Sequence, residues 1–223
     1  MKGSPVFSRR RRSKIAIFAL TALALVALAA TAAIARPGKG AEQYRAKLGA
    51  VPHLPTADGN SNASGSAKLV RKGTRLSVLV KAMGLSPRLA HAIHIHGKEA
   101  ADEIAMCPGA DRRDDLVDDG LIETAEGLDD YGPVQVSFTT RGDTSADSLL
   151  ALDRFPVARK NGTLTYTRNI KVPAKLAGRL DDLHIVIHGD DIDGNGKYEG
   201  RTTALGAPLE AELPVACGEI HRR

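Results

Sequence analysis

The chain has 223 residues, 43% apolar and 26% charged, with 22 Gly, 11 Pro, 4 Phe, 4 Tyr, 2 Cys and no Trp. That supports one core of ordinary size with a tail, and excludes two large domains, a wholly disordered chain, a collagen-like repeat and any Cys-rich zinc or disulfide scaffold. The net charge of +5 is an N-terminal effect: residues 1–35 hold six bases and no acid, leaving 25 bases (31 less 6) against 26 acids, so the remainder offers no basic face for nucleic acid.

Arg9 to Arg12 and Lys14 form a basic run. Ile15 to Ala35 follow as 21 residues without a charge or a proline, ending in Ala33-Ile34-Ala35. This pattern predicts a secretory signal peptide over 1–35, with an uncleaved signal anchor as the alternative. Either reading places residues 36 onward outside the cytoplasm, in the envelope, periplasm or medium. A membrane enters only through residues 15–35, if they are retained. Residues 36–66, with Pro37-Gly38, Pro52, Pro55 and a polar stretch from Asp58 to Ser66, read as a flexible linker with a short helix at 41–48.

From residue 67 to 223 the pattern is that of one β domain. Apolar side chains alternate in Arg75–Lys81, Ala92–His96, Pro133–Phe138, Thr163–Ile170 and Leu183–His188, with a closing strand at Leu213–Ile220. Short alternating strands divided by Gly, Asp and Asn turns predict an all-β antiparallel sandwich or barrel. Ser145–Leu152 reads as one short helix. Residues 97–132 form a connection too long for a simple turn, and such loops are usually functional. Lys98 to Asp130 carry 12 acids and 3 bases, a negative approach surface for any small anion.

Four of the seven histidines lie on two of these strands. His94 and His96 are two apart, so both imidazoles face one side while Ile93 and Ile95 face the other. His184 and His188 share a face in the same way. If the strands meet, three or four imidazoles converge, and neutral imidazole suits copper and zinc. After His188, Asp191, Asp193, Asn195 and Glu199 occupy positions 1, 3, 5 and 9 of an EF-hand-like loop with Gly196 at position 6, but position 12 is Thr202. The segment reads either as a weak calcium loop or as a polar turn that needs no metal.

Gly84-Leu-Ser-Pro-Arg-Leu-Ala-His-Ala-Ile-His-Ile-His96 resembles the copper/zinc superoxide dismutases, whose motif is Gly-Leu followed by His-x-x-His-x-His. Ile185-Val-Ile-His188 is similar to that family's late strand, and Ala216-Cys-Gly-Glu-Ile220 to its terminal Ala-Cys-Gly-x-Ile. Together with Cys107, these landmarks keep their order from about residue 66 to 220. The resemblance implies a Greek-key β-sandwich or barrel, one copper ion held by His94, His96 and His188, a bracing role for His91, and a Cys107–Cys217 disulfide. One bridge is also the simplest use of two cysteines in an exported chain. The resemblance assigns no ligand role to His184, which is expected at the surface or as an outer partner of the site.

The chain also departs from that family. No histidine lies between Cys107 and Tyr131, where the bridging and zinc ligands belong, so a zinc site is not expected. Pro214 stands where the family has the arginine that guides superoxide. The sequence therefore points to a superoxide dismutase-like protein with one copper and slow or no dismutation, its partner a metal ion or a small anion. The alternative is a non-enzymatic envelope module for copper storage or structure, similar to chordin-repeat domains in the Ala-His-Ile-His segment.

Overall fold

A computed structural model describes residues 40–57, 62–100, 103, 105–113 and 115–223. The signal segment predicted over 1–35 lies outside the described residues. Among those described, no helix is long and apolar enough to cross a membrane.

Alternation sets the strands. In β1 (Glu42–Ala50), Tyr44, Ala46 and Leu48 are buried and the residues between them are exposed. In β2 (Ser64–Lys72) Ala67 and Leu69 point inward, and in β3 (Arg75–Met83) Leu76, Val78 and Val80 do. β2 and β3 form a hairpin in which Lys72 faces Arg75. The two-residue turn begins with Gly73 at φ 61°, the left-handed conformation that matches the twist of the paired strands. Further strands are β4 (Ile93–His96), β5 (Val134–Ser137), β6 (Leu164–Lys171), β7 (His184–His188), β8 (Pro214–Glu219) and β9 (His221–Arg222). The helices are short: α1 (Thr124–Tyr131), α2 (Ala174–Ala177) and α3 (Leu209–Glu212).

The strands make one antiparallel, curled sheet in the order β5-β4-β7-β8-β1-β2-β3-β6, with β9 added beside β1. β1 is the joint. It pairs with β2 from Glu42 to Leu48 and with β8 only through Gly49 and Ala50. The β6-β3-β2-β1 half and the β5-β4-β7-β8 half share one core, in which Leu69, Val78 and Val80 cluster with Ile93, Ile95, Ile185 and Ile187. Phe138 and Tyr166 stack there with centroids 5.4 Å apart.

Three sequence expectations need correction. The segment read as a linker over 36–66 contains β1, and the helix expected at 41–48 is that strand. Its Ala, Lys and Gln favour a helix, but burial of Tyr44, Ala46 and Leu48 on one face requires a period of two. The single helix expected at 145–152 is instead two separate 3₁₀ turns, Ala146–Ser148 and Leu152–Arg154. Ser145 caps the first turn through its side chain.

The outer face of β4, β7 and β8 is covered by the 97–132 segment. Val51, Ile122, Tyr131, Val186 and Cys217 pack together there, with Cys107 against them. Cys107 and Cys217 form a disulfide. This closes a loop with a sequence separation of 110, a constraint on the unfolded chain worth about 4.7 kcal/mol in the chain-entropy picture. The segment's acids also build it. Glu126 accepts hydrogen bonds from the amides of Leu116, Val117 and Glu123. Asp130 holds Arg112 through both oxygens, at 3.0 and 2.7 Å, and Glu123 pairs with Arg201. Glu123, Glu126 and Asp130 are buried, so the segment presents less negative charge than its composition implies.

Candidate metal centre

β4 and β7 are neighbours. Ile93 faces Ile187, His94 faces Val186 and His96 faces His184. His188 lies past the end of this ladder, where its amide donates to Ala92 O at 2.8 Å. His96 and His188 each stand at a register shift, one against β5 and the other against β8. Such bulges re-aim side chains. The rings of His94, His96 and His188 converge, with centroids 5.1 to 5.5 Å apart. One nitrogen from each ring lies within 4.8 Å of the others.

Two carbonyls fix the ring orientations. His96 Nδ1 is 2.8 Å from Gly132 O, and His188 Nδ1 is 2.7 Å from Glu212 O. A carbonyl only accepts, so each Nδ1 carries the proton and each Nε2 keeps its lone pair. Those two Nε2 atoms face each other at 3.3 Å. Neither nitrogen of His94 makes a hydrogen bond; its ring meets the edge of Phe155 instead. Burial lowers the pKa of all three rings. For His94, whose shift is large, and for His96, pushed down to about 3, repulsion between the imidazoles adds to it; His188 falls to about 4. At neutral pH the group is therefore three uncharged imidazoles.

The two accepting carbonyls come from elements the sequence did not flag. Gly132 ends α1 at φ 75° and ψ 178°, and a Cβ there would lie 2.5 Å from Gly97 C and 2.7 Å from Lys98 N. Only glycine lets the helix end this close to Gly97 and aim its carbonyl at His96. α3 delivers the carbonyl of Glu212. Tyr131 packs edge-on against His96 at 4.6 Å and donates its hydroxyl to Thr124 O, tying both ends of α1 to the site.

The other predicted site residues fall into place as follows. His91 is buried outside the trio, its Nε2 3.0 Å from Ser86 O and its Nδ1 3.1 Å from His188 O. His184, expected at the surface or as an outer partner, is buried with Nε2 3.9 Å from Glu219, too far for a hydrogen bond. In the aspartate loop, Asp191, Asp193 and Glu210 bring carboxylates within 4.8 Å of one another. Glu199 stands outside that group and pairs with Lys197 at 2.5 Å. Asn195 and the carboxylates already serve the loop: Asp191 accepts from the amides of Asn195 and Gly196, and Glu210 from those of Ile192 and Glu199. Sequence reasoning passed over Glu210, because it lies outside the loop pattern. It also passed over His53, which donates to Pro214 O and accepts from Ile122 N–H.

No family model matches this chain, and no curated protein matches it. What stands is an antiparallel β fold with a disulfide and a buried three-histidine group able to hold a metal ion.

Proposed function

We propose that this is an exported, superoxide dismutase-like protein that binds one copper ion through His94, His96 and His188. The observation that carries this is the pair of unprotonated Nε2 atoms facing each other at 3.3 Å. Two lone pairs at that distance repel unless a cation lies between them. Ligand nitrogens 2.0–2.1 Å from a tetrahedral ion are about 3.3–3.4 Å apart, so the His96–His188 spacing fits the ion, and His94 brings a nitrogen within 4.8 Å of both. The rings are neutral and stand on one sheet, and those of His96 and His188 are oriented by outer carbonyls, which is how protein metal sites hold imidazole. Three imidazoles with no thiolate or carboxylate among them suit copper, and zinc is the chemical competitor.

The sequence landmarks and the curled antiparallel sheet support a Greek-key, superoxide dismutase-like architecture. The disulfide supports an oxidising compartment. Dismutation itself is slow or absent, because Pro214 replaces the guiding arginine and no bridging histidine is present. A carrier or structural role is the alternative, favoured because, among the described residues, no acid–base side chain is hydrogen-bonded to the facing Nε2 atoms of His96 and His188. Metal titration decides. One Cu(II) retained per chain, and lost in His94→Ala and His188→Ala, supports the site, and superoxide consumption by the loaded protein separates enzyme from carrier. Equal copper retention by wild type and both variants would refute the assignment.

A further inference from the structure

The open side of the trio gives onto a small pocket walled by Val134, Leu149, Leu150, Leu152, Leu205 and Ala211. Two polar residues also line it, Thr124 and Glu212, and neither has a donor to offer. The Thr124 hydroxyl donates to Glu212 O. The Glu212 carboxylate accepts from the Thr203 hydroxyl at 2.6 Å and from Ala207 N–H at 3.1 Å. The arginines nearest in sequence are committed elsewhere. Arg154 reaches Ser148 Oγ and the carbonyls of Arg141 and Asp143, and Arg201 pairs with Glu123.

These walls treat charged and uncharged ligands differently. An anion entering the pocket loses its hydration, and among the described lining residues only the single ring N–H of neutral His94 is left to replace it. Most of any attraction must come from the metal. A small neutral molecule loses almost no hydration and gains apolar contact. We infer that the pocket selects small uncharged ligands of the carbon monoxide class over anions, with Leu150 and Leu205 as specificity-determining residues. The inference rests on the copper reading above and names the ligand class of that site.

The test uses the full chain loaded with copper. Carbon monoxide on the Cu(I) form is read by its infrared stretch, and azide on the Cu(II) form by electron paramagnetic resonance. The wild type should show the carbon monoxide band and an azide-insensitive Cu(II) spectrum. Leu205 is 48% exposed, so Leu205→Lys leaves the core intact while placing a cation at the mouth. That variant should keep the carbon monoxide band and tighten azide binding on the order of tenfold. Azide binding that is equally tight in wild type and Leu205→Lys, or a missing carbon monoxide band, overturns the inference. Failure to retain copper before any ligand is added overturns the copper reading itself, and is distinguished by metal analysis of the protein alone.

Discussion

Acid should destabilise the metal-free protein through its buried imidazoles. In the folded chain His96 titrates at about 3 and His188 at about 4, against 6.5 for a solvated ring. Between these limits the unfolded chain binds more protons than the folded one, so stability is fully present above pH 6.5 and falls as pH drops toward the folded values. At about pH 4.5 the unfolded rings are almost wholly protonated, while in the folded chain His96 stays almost wholly neutral and His188 is about one quarter protonated. Each of the two histidines then subtracts roughly 2.5 kcal/mol. Both rings are fully buried, so solvent does little to screen the effect. Together they remove about 5 kcal/mol, comparable to the whole stability of a typical domain. The assay is urea unfolding of chelator-treated protein at about pH 7.5 and 4.5, for wild type and His96→Gln. The substitution should shrink the difference between the two pH values by about 2.5 kcal/mol. If both proteins lose the same stability on acidification, the imidazoles are not held neutral by burial and the reasoning fails.

Gly132→Ala should lower stability by about 1–3 kcal/mol, since its Cβ would meet Gly97 backbone and the conformation at φ 75° and ψ 178° excludes a side chain. It should also loosen His96, seen as a faster-exchanging Nδ1 proton by NMR. Cys107→Ser with Cys217→Ser should cost about 2–5 kcal/mol in thermal unfolding and speed proteolysis within 97–132, whereas cleavage confined to other loops would argue against the clamp. His91→Ala removes a buried ring that spans Ser86 O and His188 O. A loss of about 2–4 kcal/mol is expected, with weaker copper retention, and unchanged retention would detach His91 from the site. Copper at a hundredfold excess over its dissociation constant should raise stability at neutral pH by about 2.7 kcal/mol, in denaturant midpoints, and much less at about pH 4.5, where protons compete for the same lone pairs.

Much of this protein could be read from the chain alone. Alternation located β3 to β8, because a strand that buries one face repeats every two residues. The same parity put His94 and His96 on one face and Ile93 and Ile95 on the other, and the structure keeps that division. Where local preference and burial disagreed, the sequence misled. Glu42–Ala50 has helical composition, and only its packing against β2 and the core makes it a strand. α1 was hidden in an acidic stretch whose Glu123 and Glu126 form a capping box that no apolar stripe announced.

The site itself is a tertiary product. Position in a strand tells which face a histidine takes, but not how close it comes to a histidine 92 residues away. His188 lies beyond the β4 ladder, and the two register shifts, the curl of the sheet and the carbonyls of Gly132 and Glu212 decide where its lone pair points. None of these is encoded in a side-chain pattern, because a backbone oxygen looks the same at every residue. The identities of the ligands are thus local information, while their separation, tautomer and apolar surroundings exist only once distant segments are packed.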